Sequence, residues 1–165
     1  MESKTLTRTL FILYLVALVW IILFKMGFSL NIPGPARSIN LIPFARSAIV
    51  NNRIDFTEII NNVIIYIPFG IFAGTLKPDL PCRRQLLPIL LTSLTLEALQ
   101  YLLAIGATDI TDLLTNTLGG ITGIAIYRIL HAIFKTHTPK IINLLALIAA
   151  ALLTLLIALL ILSNP

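Results

Sequence analysis

Eight acidic and amide side chains stand within or beside apolar stretches of this chain, where a buried polar group costs free energy. The acids are Glu58, Glu97, Asp109 and Asp112, and the amides are Asn61, Asn62, Gln100 and Asn116. Ionisable residues in apolar segments usually face other helices or a polar cavity, and they mark substrate, ion or proton sites. Because clustered carboxylates repel one another, some must be protonated, paired with arginine or bound to a cation. The set therefore predicts a polar site, with a divalent cation as a candidate cofactor.

The acids after residue 108 follow a helical period. At 100° per residue, positions 109, 112, 116, 119, 120 and 123 fall within a sector of about 100°. Asp109, Asp112 and Asn116 thus share one face with three glycines, which are predicted to bring a neighbouring helix close. A second helical face carries Ser93, Glu97 and Gln100 at i, i+4 and i+7.

Composition indicates an integral membrane protein. Of 165 residues, 58% are hydrophobic and 12% charged, with a mean hydropathy of +0.97, whereas soluble domains carry about 25% charged residues. The twelve Lys and Arg residues are scattered between apolar runs without a basic stripe, which argues against a nucleic-acid partner. The single cysteine, Cys82, excludes an intrachain disulfide. We predict one all-α domain, residues 1–165.

The apolar runs divide this domain into a bundle of about five transmembrane helices. The predicted spans are residues 7–26, 56–76, 86–105, 109–130 and 141–162, and a long extracytoplasmic loop covers 27–55. The first run has the basic and apolar regions of a signal peptide but lacks a small-x-small cleavage site, so we expect it to be retained. Thr57 is predicted to cap the second span, Pro68 to kink it, and Pro88 to lie in the first turn of the third.

The basic residues predict the orientation in the cell membrane. With a cytoplasmic N-terminus, eight of the twelve Lys and Arg residues fall in cytoplasmic segments, and the C-terminus is then extracytoplasmic. This topology brings the acids of the second, third and fourth spans to one depth in the outer leaflet, with Asn116 about 10 Å below Asp109. Arg46 and Arg53 of the loop would lie above them, which predicts a pocket open to the outside.

Four segments in order resemble the signatures of the VanZ-like family. They are Asn40-Leu41-Ile42-Pro43-Phe44, residues 62–70 around Ile67-Pro68-Phe69-Gly70, Glu97-Ala98-Leu99-Gln100, and residues 109–120. The resemblance covers about residues 40–125. Family members commonly have an arginine shortly before the first aspartate, where this chain has Ala107 and Thr108. If that arginine pairs with the acids, then either Arg37, Arg46 or Arg53 replaces it here or the site differs.

The resemblance implies a polytopic cell-envelope protein. The namesake of the family is associated with low-level resistance to the glycopeptide teicoplanin. It also implies site residues at matching positions, namely Glu97, Gln100, Asp112 and Asn116.

Three functions are open to such a chain. The first is recognition of a membrane lipid or of a lipid-linked envelope precursor by its head group. The second is an enzyme acting on a lipid-linked or phospholipid substrate, with Glu97 or Asp112 as general base and Arg46 or Arg53 stabilising phosphate charge. No strong nucleophile or catalytic histidine accompanies these acids. The third is an ion- or proton-coupled transporter, which the lack of an internal repeat disfavours. Each amide taken alone is explained as well by a hydrogen bond between helices as by a functional role.

Overall fold

A computed structural model describes residues 4–23, 39–44, 49–50, 53–54, 56–103 and 108–163. The described part contains five helices, α1 (Lys4–Leu23), α2 (Thr57–Leu76), α3 (Cys82–Leu103), α4 (Ile110–Phe134) and α5 (Thr138–Ser163). It also contains four two-residue strands, β1 (Ile39–Asn40), β2 (Ile49–Val50), β3 (Arg53–Ile54) and β4 (Thr108–Asp109). The predicted all-α membrane bundle is confirmed.

Within the described ranges, four helical stretches are long and apolar enough to cross a membrane. They are Lys4–Leu23, Thr57–Leu76, Cys82–Leu103 and the 54-residue stretch Ile110–Ser163. At 1.5 Å per residue the last would extend about 80 Å, more than twice the hydrocarbon thickness of a bilayer. A 3₁₀ turn at Lys135–His137 divides it into α4 and α5, with Lys135 at a positive φ of 48°.

Three of the local differences from the sequence prediction concern α2 and α3. α3 begins at Cys82, four residues earlier than predicted, because the Pro81 carbonyl accepts from Arg84 N (2.9 Å) and Gln85 N (3.2 Å) and so starts the helix. Pro88 therefore lies in the second turn of α3. The predicted cap at Thr57 is wrong, because Phe56 occupies the N-cap position of α2 and makes no side-chain capping bond.

Hydrogen bonds between helices fix their relative directions. Gln100 Nε2 near the end of α3 donates to the Ile22 carbonyl near the end of α1 (3.0 Å). Thr7 Oγ1 at the start of α1 donates to Asn143 Oδ1 at the start of α5 (3.0 Å). Helices α1, α3 and α5 thus run in one direction, and α2 and α4 run in the other. We call the end where α2 and α4 begin the polar end, and the opposite end the basic end.

The tightest contact in the bundle joins α2 to α4, which pack against each other more extensively than any other pair. A Cβ added at Gly70 would collide with the Gly120 carbonyl oxygen, at Gly119 with the Val63 carbonyl, and at Gly123 with the Ile67 carbonyl. Side chains at these positions would therefore force the backbones apart. The predicted packing role of the glycines is confirmed, and it aligns α4 with the polar residues of α2.

Pro68 lies in the middle of α2. It has no N–H to donate to the carbonyl of residue 64, which weakens the helical hydrogen bonding around it. The Tyr14 hydroxyl of α1 donates to the neighbouring Ile65 carbonyl (2.7 Å). An aromatic cluster, with Phe11 packed edge-on against Phe69, completes the contact of α1 with α2.

Candidate polar site at the start of helix α4

Asp109 organises the polar end by capping α4. Its backbone is extended (φ −123°, ψ 125°), and its Oδ1 accepts from the Thr111 N–H (2.8 Å). Oδ2 accepts from Asn40 Nδ2 (3.0 Å), and β1 pairs with β4 in parallel so that Asn40 lies opposite Asp109. Phe44 N also donates to Thr111 Oγ1 (2.9 Å). The segment 39–44 is thereby fastened over the start of α4.

Glu97 approaches the same helix end from α3. Its Oε2 accepts from the Asp109 N–H (3.1 Å), and its backbone carbonyl accepts from Thr108 Oγ1 (3.2 Å). The side chain is 4% exposed. A buried carboxylate is stabilised here because the N-terminus of a helix carries partial positive charge.

Asp112 lies in the first turn of α4 and connects that helix to α2. Asn62 Nδ2, which is buried, donates to Asp112 Oδ1 (2.7 Å). Asp112 itself is half-buried. The two carboxylates predicted to be functional, Glu97 and Asp112, thus approach the same end of α4 from different elements.

A deeper layer of the site contains polar atoms without hydrogen-bond partners. Asn116 Nδ2 donates to Ser93 Oγ (2.9 Å), and the Tyr66 hydroxyl lies beside Ser93 and close enough to Glu97 and Asp112 for electrostatic interaction. Among the described residues, three buried side-chain atoms meet no partner with hydrogen-bond geometry. Two of them lie in this layer, the Tyr66 hydroxyl beside Ser93 and Asn116 Oδ1, and the third is Gln85 Oε1 near the start of α3. Tyr66 is fully buried and Asn116 is 4% exposed. Buried polar atoms left in this state usually bind an ordered water or a ligand group.

The structure places the other predicted site residues differently. Gln100 donates to the Ile22 carbonyl and so joins α3 to α1. Asn61 is exposed, and Glu58 is half-buried one turn before Asn62. Arg46 and Arg53 were also predicted to contribute to the site, but their side chains are outside the part that the structure describes. Only the backbone of Arg53 is described, and it pairs with Val50 in the β2–β3 ribbon.

The acids do not by themselves assemble a metal centre in the described part of the chain. No three His, Cys, Asp or Glu side chains come together there as ligands. Both oxygens of the Asp109 carboxylate accept hydrogen bonds from Thr111 and Asn40. The divalent cation therefore stays a prediction.

Two members of the site, Tyr66 and Ser93, were not among the predicted site residues. Both were detectable in principle, because Tyr66 follows Asn62 by one helical turn and Ser93 precedes Glu97 by one turn. Tyrosine and serine are less conspicuous than acids in an apolar helix, since their hydroxyls cost less to bury.

Replacing Asp109 with alanine is expected to lower the thermal unfolding temperature of the detergent-purified protein. The variant loses the cap on Thr111, which corresponds to about 0.5–2 kcal/mol, and also loses the acceptor for Asn40. Asp109→Asn is the matched control, because its side-chain oxygen still caps. Equal unfolding temperatures for the alanine and asparagine variants would show that capping does not stabilise this end.

An apolar helical bundle with a buried polar cluster at one end defines a polytopic integral membrane protein with a candidate site inside the membrane domain. The family described as VanZ/LLP1 matches residues 11–131, and the chain belongs to that family. Protein VanZ of Enterococcus faecium is 41% identical over 127 residues, which cover 76% of this chain and 75% of the relative. No solved structure matches the chain. The resemblance seen in the sequence is confirmed, and the match runs from residue 11 in α1 to residue 131 near the end of α4, without α5.

Proposed function

We propose that this protein recognises the polar head group of a membrane lipid or lipid-linked envelope precursor at the start of α4, and that it contributes in this way to teicoplanin resistance. The observation that carries the proposal is the pair of buried atoms without partners, the Tyr66 hydroxyl and Asn116 Oδ1. The Tyr66 hydroxyl offers a donor close to Glu97 and Asp112, and Asn116, which is bonded to the neighbouring Ser93, offers an acceptor. The resistance role rests on the resemblance to the VanZ-like family.

The depth of the cluster suits an amphiphilic ligand. Asn116 lies seven residues beyond the cap of α4, or about 10 Å along the helix axis. The covering segment 39–44 exposes four large apolar side chains, at Ile39, Leu41, Ile42 and Phe44, as expected for a segment that lies against lipid. A ligand whose tail stays in the bilayer could therefore bring its head group to the cluster without leaving the membrane.

The distribution of charge supports an extracytoplasmic site. Eight exposed Lys and Arg residues lie at or toward the basic end, namely Lys4, Arg8, Lys77, Arg83, Arg84, Arg128, Lys135 and Lys140. Cytoplasmic segments of membrane proteins are enriched in such residues. On this basis the basic end and the N-terminus are cytoplasmic, the polar end is outside, and α5 runs outward.

The lipids that co-purify with the protein test the proposal. Asp112→Asn keeps an oxygen that accepts from Asn62 but removes the charge. Hydrogen bonds to charged groups contribute about 1.5–3 kcal/mol, so mass spectrometry should show the recognised head-group class depleted by roughly tenfold or more. Asp79→Asn makes the same chemical change at an exposed residue of the basic end and should leave the lipids unchanged.

Two results would count against head-group recognition. An identical lipid profile for the parent and the Asp112→Asn variant would contradict it. Conversion of the bound lipid by the parent protein would indicate the enzyme alternative, with Glu97 or Asp112 as the base. In a susceptible host, the parent should raise the inhibitory concentration of teicoplanin and an equally abundant Asp112→Asn variant should not.

A further inference from the structure

The deeper layer of the polar site brings together one side chain from each of three helices. They are Tyr66 of α2, Ser93 of α3 and Asn116 of α4. Asn116 Nδ2 donates to Ser93 Oγ (2.9 Å), and the Tyr66 hydroxyl lies beside the same serine. All three residues are at most 4% exposed. Two buried atoms around one serine, the Tyr66 hydroxyl and Asn116 Oδ1, thus remain without a partner in the described part of the chain.

These two atoms differ in what they can bond. Asn116 Oδ1 only accepts hydrogen bonds, whereas the Tyr66 hydroxyl both donates and accepts. A ligand group that satisfies both atoms must donate to Asn116 and should accept the proton of Tyr66. A hydroxyl does both. A phosphodiester has no proton to donate, and an ammonium group has no lone pair with which to accept.

Rotation of the Asn116 amide leads to the same ligand group. Turned by 180°, the amide oxygen would accept from Ser93 Oγ, and the amide nitrogen would then donate to the ligand. A hydroxyl fits this orientation as well as the first one. A phosphate fits only the rotated amide, where it would lie near Glu97 and Asp112, whose carboxylates are close enough to interact with Tyr66. Since like charges repel, the hydroxyl is the better match.

On the basis of the head-group recognition proposed above, we infer that the recognised head group is a sugar or a glycerol, one hydroxyl of which enters the deeper layer and bonds with Asn116 and Tyr66. Such head groups carry hydroxyls on adjacent carbons. While one hydroxyl binds in the deeper layer, a neighbouring hydroxyl can donate to the Asp112 carboxylate. Asp112 is half-buried and lies four residues before Asn116, about 6 Å nearer the polar end.

Native mass spectrometry of the detergent-purified protein tests this inference with four lipids that carry the same acyl chains. Monoglucosyl diacylglycerol and phosphatidylglycerol offer hydroxyls, phosphatidylethanolamine offers an ammonium group, and phosphatidylcholine offers a phosphodiester without a donor. A hydroxyl lipid should bind roughly tenfold more tightly than the other two, because a buried polar atom left unpaired penalises the wrong ligand. Preference for the glucosyl lipid would identify a sugar, and preference for phosphatidylglycerol would identify a glycerol.

The variant Tyr66→Phe removes one hydroxyl and keeps the ring. Because this hydroxyl has no hydrogen-bond partner among the described residues, the unfolding temperature of the lipid-free protein should not fall. Binding of the preferred hydroxyl lipid should weaken by roughly tenfold, while phosphatidylcholine binding stays the same. Tyr127→Phe is the matched control, since Tyr127 is also buried but lies near Asp79, toward the basic end. It should bind all four lipids as the parent does.

Two results would overturn the inference. Equal binding of the hydroxyl lipids by the parent and Tyr66→Phe would mean that a buried water, rather than a ligand, satisfies the deeper layer. Tightest binding of phosphatidylethanolamine or phosphatidylcholine would mean that another group is recognised. If Asp112→Asn abolishes that binding, head-group recognition stands and only the hydroxyl assignment fails. If Asp112→Asn changes the binding of none of the lipids, the proposed function fails as well.

Discussion

Replacing Gly123 with valine is expected to prevent the bundle from assembling. A Cβ at this position would collide with the Ile67 carbonyl and would lie 2.9 Å from both Gly70 Cα and Ile71 N. All three atoms are backbone, so the contact cannot be relieved by moving a side chain. Overpacking in a core costs about 1–3 kcal/mol. Forcing two helix backbones apart should cost at least the upper end of this range. That is a large part of a typical total stability of about 5–15 kcal/mol.

The measurement is the membrane abundance and thermal unfolding of the detergent-purified variant. Ala125→Val is the control, because Ala125 lies on the exposed face of the same helix two residues away. Valine at 125 should leave the membrane abundance and the unfolding temperature unchanged. That result would show that the helix propensity of valine does not cause the loss seen at position 123. A Gly123→Val variant as stable as the parent would mean that α2 and α4 are not in close contact.

Exchanging Glu97 for glutamine is expected to leave the fold intact and to abolish the proposed head-group recognition. The glutamine oxygen can still accept from the Asp109 N–H, as Glu97 Oε2 does at 3.1 Å. The negative charge near Tyr66 and Asp112 is lost, however. If recognition depends on that charge, teicoplanin resistance should fall to the level of cells without the protein, while membrane abundance and unfolding temperature stay at parental values.

Comparison of Glu97→Leu with Glu97→Gln separates the effect of the hydrogen bond from the effect of the charge. Leucine fills a similar volume but leaves the buried Asp109 N–H without this acceptor, which costs about 1–3 kcal/mol. We therefore expect the unfolding temperature to fall for leucine but not for glutamine. If glutamine lowers stability as much as leucine does, then the carboxylate holds helices together and the case for a functional charge is lost.

The helices were predictable because membrane spans are encoded in local composition. The predicted second span, residues 56–76, differs from α2 by one residue at its start. The start of α3 was misplaced because Arg83 and Arg84 interrupt the apolar pattern, although the backbone continues as a helix through them. Hydropathy reports which residues favour lipid, whereas the end of a helix depends on backbone hydrogen bonds such as those of Pro81.

The site was only partly predictable. The helical period correctly placed Asp112 and Asn116 on α4, but it extended that helix to Asp109, whose backbone is extended and whose side chain caps the helix. The period also could not reveal the second partner of Asp109, Asn40, which is 69 residues away in the sequence. Equally, nothing local distinguishes Asn62, which bonds to Asp112, from the adjacent and exposed Asn61. Partners of this kind are set by the packing of α2 on α4.

The closeness of α2 and α4 also determines when the protein can finish folding. The two helices are separated in the chain by all of α3, so α2 enters the membrane before its principal neighbour has been synthesised. Until Gly123 follows, the face of α2 around Gly70 lacks the α4 backbone that it packs against. The bundle therefore cannot be completed helix by helix in the order of synthesis, because the α2–α4 contact requires lateral association of α4 with an earlier helix.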